Sequence, residues 1–178
     1  MEARKTASSC REHQFAEGPN GSADACVLFR RASRAVTHLY DLVLAPSGLK
    51  ATQFVLLRAI EQHRDISQSR LAEAYGMSPE TLSRRLASLR RTGLIELPNR
   101  TRQGGSRPYR LTTAGSKKLQ DATPYWFRAQ ERLRTILGGE QWRPILMAAD
   151  EVAVAARRAE NAKIVNTRPR TESAAAAT

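Results

Sequence analysis

Apolar positions along the chain fall into blocks of helical spacing separated by short polar breaks. Phe29, Val36, Tyr40 and Val43 make one stripe, with Arg30, Arg34, His38 and Asp41 off it, and predict a long helix from Ser22 or Asp24 to about Leu44. Pro46-Ser47-Gly48 breaks it. Thr52 is the expected cap of a second helix carrying Phe54, Leu57 and Ile60. Asp65-Ile66-Ser67 reads as a short extended strand. A helix then runs from about Gln68 to Tyr75 and stops at Gly76. Met77 is placed to fill the turn, Ser78 to cap the next helix, and Pro79 to occupy its first position, where a missing N–H does no harm. In that helix Leu82, Leu86 and Leu89 recur at i, i+4 and i+7. Turning them inward sends Glu80, Arg84, Ser88 and Arg91 outward, flanked by Thr81 and Arg85.

Beyond Gly93 the period changes. Leu94-Ile95-Glu96-Leu97 alternates as a strand, and Tyr109-Arg110-Leu111 reads as its return. Between them lies a polar basic loop, NRTRQGGSRP. Thr112 or Thr113 should cap a helix to about Leu137, with Leu119, Trp126 and Leu133 on its apolar side and Pro124 predicting a kink near Ala122. Gly138-Gly139 ends it, and a last helix from Glu140 to about Ile164 carries Trp142, Leu146, Val152 and Ala156. The expected fold is mainly α with a small β wing. A winged helix-turn-helix unit (67–93, with the wing at 94–112) is flanked by dimerisation helices at 23–45 and 113–164. Together these form one domain over 23–165, and the ends, 1–22 and 166–178, read as disordered tails. The outer helices carry more apolar face than one small winged unit can cover. A twofold-related second copy is the simplest partner, and it matches palindromic DNA.

Charge sharpens this picture. The 178 residues carry a net charge of +12 at a pI near 10.8, which points to a polyanionic partner. Between Ser78 and Thr112 there are eight arginines against Glu80 and Glu96. A helix of hydroxyls and arginines behind a glycine turn is what a helix-turn-helix offers to the DNA major groove. The candidate DNA-binding residues are therefore Ser78, Thr81, Ser83, Arg84, Arg85 and Ser88. The wing adds Arg100, Arg102 and Arg107, placed for the minor groove or flanking phosphates. Arg84 projects furthest from the leucine stripe and is the expected guanine reader. Ser78 is foremost a cap.

Cys10 and Cys26 make neither a disulfide framework nor a zinc site, and no metal or cofactor is expected. No apolar run is long enough to span a bilayer, and the first residues lack the apolar core of a secretory signal, so the cytoplasm is the expected compartment. Neither a paired-carboxylate site, nor a Ser/His/Asp set, nor a phosphate-cradling glycine loop is evident, so the chain does not read as an enzyme.

The layout resembles the MarR family of bacterial transcriptional regulators over about residues 24 to 160. The resemblance rests on RASRAVTHLYDLVLAPSGLKATQFVLL, LAEAYGMSPETLSRRLASLRRTGLIE, YRLTTAG and ATPYWFRAQERLRTILGGEQW, in that order and spacing. It implies a homodimer with winged domains at its outer ends, acting as a repressor. DNA is released when a small aromatic or phenolic acid binds between the dimer helices and the winged domain. Arg34, His38 and Trp126 would then supply a cation, an imidazole and an indole to that effector; salt bridges and core packing are the competing reading. Family wings usually carry an Asp-x-Arg motif near the tip, and here the corresponding loop, NRTRQGGSRP, has no acid. Some members sense organic peroxides through a cysteine near the start of the first helix, held by tyrosines. Cys26 stands in a similar place, with Tyr40 fourteen residues on, while Arg30 and Ala51 fill the other tyrosine positions. Cys26 is thus either a redox sensor or a buried structural thiol. A basic module that binds nucleic acid or protein without regulating transcription is the remaining alternative.

Overall fold

The computed structural model describes residues 24–63, 66–97 and 109–161. The two tails, the 98–108 wing tip with its candidates Arg100, Arg102 and Arg107, and Cys10 lie outside the described residues. The chain divides into two units, Met1–Gln130 and Glu131–Thr178.

In the first unit, α1 (Ala25–Leu44) begins where the Asp24 carboxylate accepts the Val27 N–H at 3.1 Å. Only its C-terminal end is covered: Tyr40 and Leu44 are buried, whereas Phe29 and Val36 of the predicted stripe are exposed. A 3-10 turn over Ala45–Ser47 and Gly48, at φ +70°, reverse the chain. Buried Ser47 holds this corner by donating its hydroxyl to the Leu44 carbonyl at 2.7 Å and accepting the Leu49 N–H at 3.3 Å.

The next helix, α2 (Ala51–Gln62), starts two residues earlier than a cap at Thr52 predicts, and Lys50 is its N-cap. Two other side chains satisfy the helix start. Asp41 of α1 accepts the Ala51 N–H at 2.7 Å, and Gln53 reaches back to accept the Lys50 N–H at 2.9 Å. These groups meet donors that would otherwise stay unpaired, leaving Thr52 inside the first turn. Phe54, Leu56, Leu57, Ala59 and Ile60 of α2 enter the core.

Ile66 and Ser67 do not form the expected strand; Asp65 lies outside the described residues. The Ile66 N–H donates to the His63 carbonyl, and Ser67 caps α3 (Gln68–Ala74) by accepting the Arg70 N–H at 3.3 Å. The chain is committed to a turn and a cap there, so it does not align with a sheet edge. The helix-turn-helix is completed by α4 (Pro79–Arg91). β1 (Ile95–Glu96) and β2 (Arg110–Leu111) then pair antiparallel, with Ile95 opposite Leu111 and Glu96 opposite Arg110.

Thr112 joins this sheet to α5 (Thr113–Leu137). Its N–H donates to the Leu94 carbonyl at 3.1 Å, its hydroxyl donates to the Gly93 carbonyl at 2.6 Å, and the same oxygen accepts the Gly115 N–H at 3.0 Å. The helix runs through Pro124 without a break. Its Trp126 ring stacks on Phe54, with centroids 4.5 Å apart and planes 12° apart, and meets Tyr40 edge-on at 4.5 Å. Aromatic contacts of this kind add roughly 0.5–1.5 kcal/mol per pair beyond area burial. One indole thus ties α5 to both α1 and α2.

The second unit holds the last turns of α5 and then α6 (Gly139–Asn161), which starts after Gly138 at φ +84°. Ile145, Leu146, Met147 and Val152 are exposed on it, and Ile136 near the end of α5 is 71% exposed.

Gly115 is where α5 approaches the wing base. A Cβ there would overlap the Leu94 carbonyl oxygen. Gly115→Ala is expected to destabilise the fold by about 1–3 kcal/mol, as overpacked sites do. Urea denaturation reads this directly, and an unchanged midpoint would show that the contact yields freely.

Candidate nucleic-acid interface

The interface is built from α3, its turn and α4. Leu71 and Ala72 anchor α3 in the core. The chain reverses at Gly76, φ +57°, a left-handed conformation that costs a side-chain-bearing residue strain, and the Met77 N–H closes the turn on the Ala72 carbonyl at 2.9 Å. Ser78 caps α4 as expected: it accepts the Thr81 N–H at 3.2 Å and shares a hydrogen bond with the Thr81 hydroxyl at 3.0 Å. Leu82, Leu86 and Leu89 are each no more than 1% exposed. Each buried leucine stabilises by about 1.5–3 kcal/mol, so the rotation of α4 about its axis is fixed by its apolar side.

That rotation divides the candidate residues into two sets. Ser83, Arg84 and Arg85 are exposed, and so are Glu80, Arg90 and Arg91. Arg84 folds back to donate Nε to the Glu80 carbonyl at 3.4 Å, which places the two side chains one turn apart on one face. Arg85, although exposed, also borders the second surface: with Ser88 and Leu89 it lines a cleft of about 190 Å³ against Lys50, Thr52, Gln53 and Leu56 at the start of α2. Thr81 and Ser88 are half-buried. Lys50 at the cleft mouth is 3.8 Å from Asp41. Sequence reasoning missed Lys50 and Gln53 as neighbours of the recognition helix. The only local signal was Gln53 three residues after an extended residue, half of a capping box.

At the far end of α4, the Thr92 hydroxyl donates to the carbonyls of Ser88 and Leu89, and Gly93, φ +71°, turns the chain into the wing. The wing base is tied to α3 by Gln68, whose Nε2 donates to the Tyr109 hydroxyl at 3.4 Å. Charge on this face is predominantly basic. Glu80 is the acidic member; its own backbone N–H first, then the Ser78 hydroxyl and the charge of Arg84, hold its carboxyl below the usual range. It stays ionised near neutral pH.

The remaining candidates lie elsewhere. Arg34 and His38 are exposed on α1, whereas Trp126 sits in the aromatic stack, so these three do not line a common pocket within the described chain. Arg34 instead shares an open groove of about 500 Å³ with Cys26, Phe29, Arg30 and Ser33. The Cys26 thiol is free and exposed. Among the described residues there is no group of three or more His, Cys, Asp or Glu side chains that could hold a metal ion, and no helix long and apolar enough to cross a membrane.

A mostly helical chain with a two-stranded wing base, presenting a capped and arginine-bearing helix behind a glycine turn, is a winged helix-turn-helix DNA-binding protein. Residues 47–104 match the model of the MarR family. The chain is 33% identical to the M. tuberculosis transcriptional regulator MosR; a crystal structure of MosR and one of its complex with DNA both superpose with a TM-score of 0.67, covering 75% of this chain and 96% of that one. The transcriptional repressor CouR is 25% identical, with a TM-score of 0.63 over 72% of this chain and 91% of CouR. The M. tuberculosis MarR family protein Rv2887, in complex with salicylic acid, is 24% identical and shares the fold at a TM-score of 0.58, over 75% of this chain and 98% of that one. No curated protein sequence matches the chain. The chain belongs to the MarR family and is a DNA-binding transcriptional regulator. Members of this family are DNA-binding regulators rather than enzymes.

Asp41 sets the start of the helix that forms one wall of the Arg85 cleft. Asp41→Ala should lower stability by about 0.5–2 kcal/mol, the usual loss for a helix cap. Asp41→Asn should lose much less, because its carbonyl still accepts the Ala51 N–H. Equal losses in chemical denaturation would assign the effect to the ion pair with Lys50 instead.

Proposed function

We propose that the chain acts as a homodimeric cytoplasmic repressor that holds a palindromic operator with two copies of α4 and releases it when a small aromatic acid binds. The observation that carries this reading is the arginine face of α4, held rigidly by three buried leucines. Exposed apolar residues support the dimer: Leu28, Phe29 and Val36 on α1, and Ile145, Leu146 and Met147 on α6. A twofold contact covers such faces on both copies at once. Half-sites on one face of the duplex lie about 34–36 Å apart, so a ligand that changes the spacing of the two recognition helices spoils simultaneous docking. Arg34 and His38 are exposed for an anionic, aromatic effector, whereas Trp126 is engaged in the stack with Phe54 and Tyr40. The repressor CouR and the DNA-bound MosR are consistent with this output.

Selection from random duplexes tests it. Wild type should enrich an inverted repeat, and its affinity should fall steeply with salt because several phosphates are neutralised. Arg84→Ala should relax one position of the motif by about 1–3 kcal/mol of discrimination. An equal loss on every sequence would remove Arg84 as a base reader.

A second input is favoured by the Cys26 geometry. Its thiol is exposed, in the open groove it shares with Arg30 and Arg34. If oxidation of this thiol controls binding, peroxide releases DNA from the wild type but not from Cys26→Ser. The same release from both chains would exclude it.

A further inference from the structure

The arginine face contains an element that phosphate binding does not explain. Glu80 is exposed in the first turn of α4, on the same side as Arg84. It and Glu96 are the acids of the 78–112 stretch, and Glu96 sits opposite Arg110 across the wing ladder. Glu80 has no such cross-strand partner. Against a duplex its carboxylate repels phosphates and every acceptor in the groove. That includes guanine N7 and O6, thymine O4 and adenine N7. Cytosine alone offers the major groove a donor, its N4 amine, without an adjacent acceptor on the same base. The N-terminal residues of a recognition helix are the ones that meet base edges. We propose that Glu80 is a specificity-determining residue that accepts a hydrogen bond from the N4 amine of a cytosine in each operator half-site.

This rests on the reading of α4 as the recognition helix and adds to it a base and a direction. Glu80 and Arg84 are four residues apart, about 6 Å along the helix axis, or under two base steps of duplex. The cytosine read by Glu80 therefore lies within two steps of the guanine read by Arg84. Between its own backbone N–H and Ser78, the carboxylate keeps lone pairs free for a base. The helix macrodipole also favours an acid in the first turn. That role is blind to DNA sequence, and this difference makes the two separable.

The test is duplex selection with the full chain and with Glu80→Ala and Glu80→Gln. Wild type should enrich a cytosine at one position per half-site, with about 5- to 150-fold discrimination. Glu80→Ala should lose that position alone, keep the rest of the motif, and bind unselected DNA more tightly because a phosphate repulsion is gone. Glu80→Gln should shift the preference to adenine, whose N6 and N7 suit an amide. Replacing the selected cytosine by 2-pyrimidinone, which lacks the amine, should weaken wild type and leave Glu80→Ala unaffected. A wild type that enriches a motif left unchanged in Glu80→Ala overturns the proposal alone. A wild-type preference for adenine at that position overturns the cytosine assignment. A wild type that enriches nothing overturns the reading of α4 and the proposal with it.

Discussion

A single hydroxyl joins the parts of this protein that act together. Thr112 donates to Gly93, where α4 has just ended, and accepts from Gly115, where α5 has just begun. Its own N–H holds Leu94 at the edge of the wing. The recognition helix, the sheet and the long helix therefore leave one point with fixed relative directions. The junction is tight because Gly115 has no side chain and lets α5 press against the Leu94 carbonyl. Any side chain there separates helix from wing. The direction in which α4 faces is set by this joint.

The second constraint is rotational. Three leucines bury one side of α4, and the geometry of an α-helix assigns the other residues their directions without further choice. The result is two adjoining surfaces of different character. One is open and pairs Arg84 with Glu80. The other is a cleft shared with the start of α2, where Arg85 and Ser88 face Lys50, Thr52 and Gln53. The position of that cleft depends on Asp41, a carboxylate from α1 that begins α2. Arg84 and Arg85, adjacent in sequence, therefore serve neighbouring faces of the same helix.

Local signals were legible in the sequence. The Leu82-Leu86-Leu89 stripe, the Ser78 cap, the Gly76 turn and the Thr112 cap each depend on residues within one or two turns. The alternation at Ile95 and its return at Leu111 is equally short-range. What failed was longer in range. Thr52 has the chemistry of a cap, yet Asp41, ten residues upstream, supplies the carboxylate, and no sequence period reveals that approach. Asp65-Ile66-Ser67 has strand composition, but a strand needs a neighbour, and Ser67 is spent on capping α3. Trp126 reads equally as pocket or core; only the nearness of Phe54 and Tyr40 decides, and it decides for a stack in the folded chain. The stripe on α1 defines an apolar face without saying what covers it, and Phe29 and Val36 remain exposed on it.

The length of α5 has a mechanical side. Its residues 113–130, inside the first unit, make a rod about 27 Å long that starts at the Thr112 joint. A tilt of about 4° at that joint carries the far end of this stretch roughly 2 Å, and the same leverage runs in reverse. Hydrogen bonds to base edges tolerate only a few tenths of an ångström. A rod pivoting beside α4 has the geometry of a gear, exchanging a large displacement at one end for a small turn at the other.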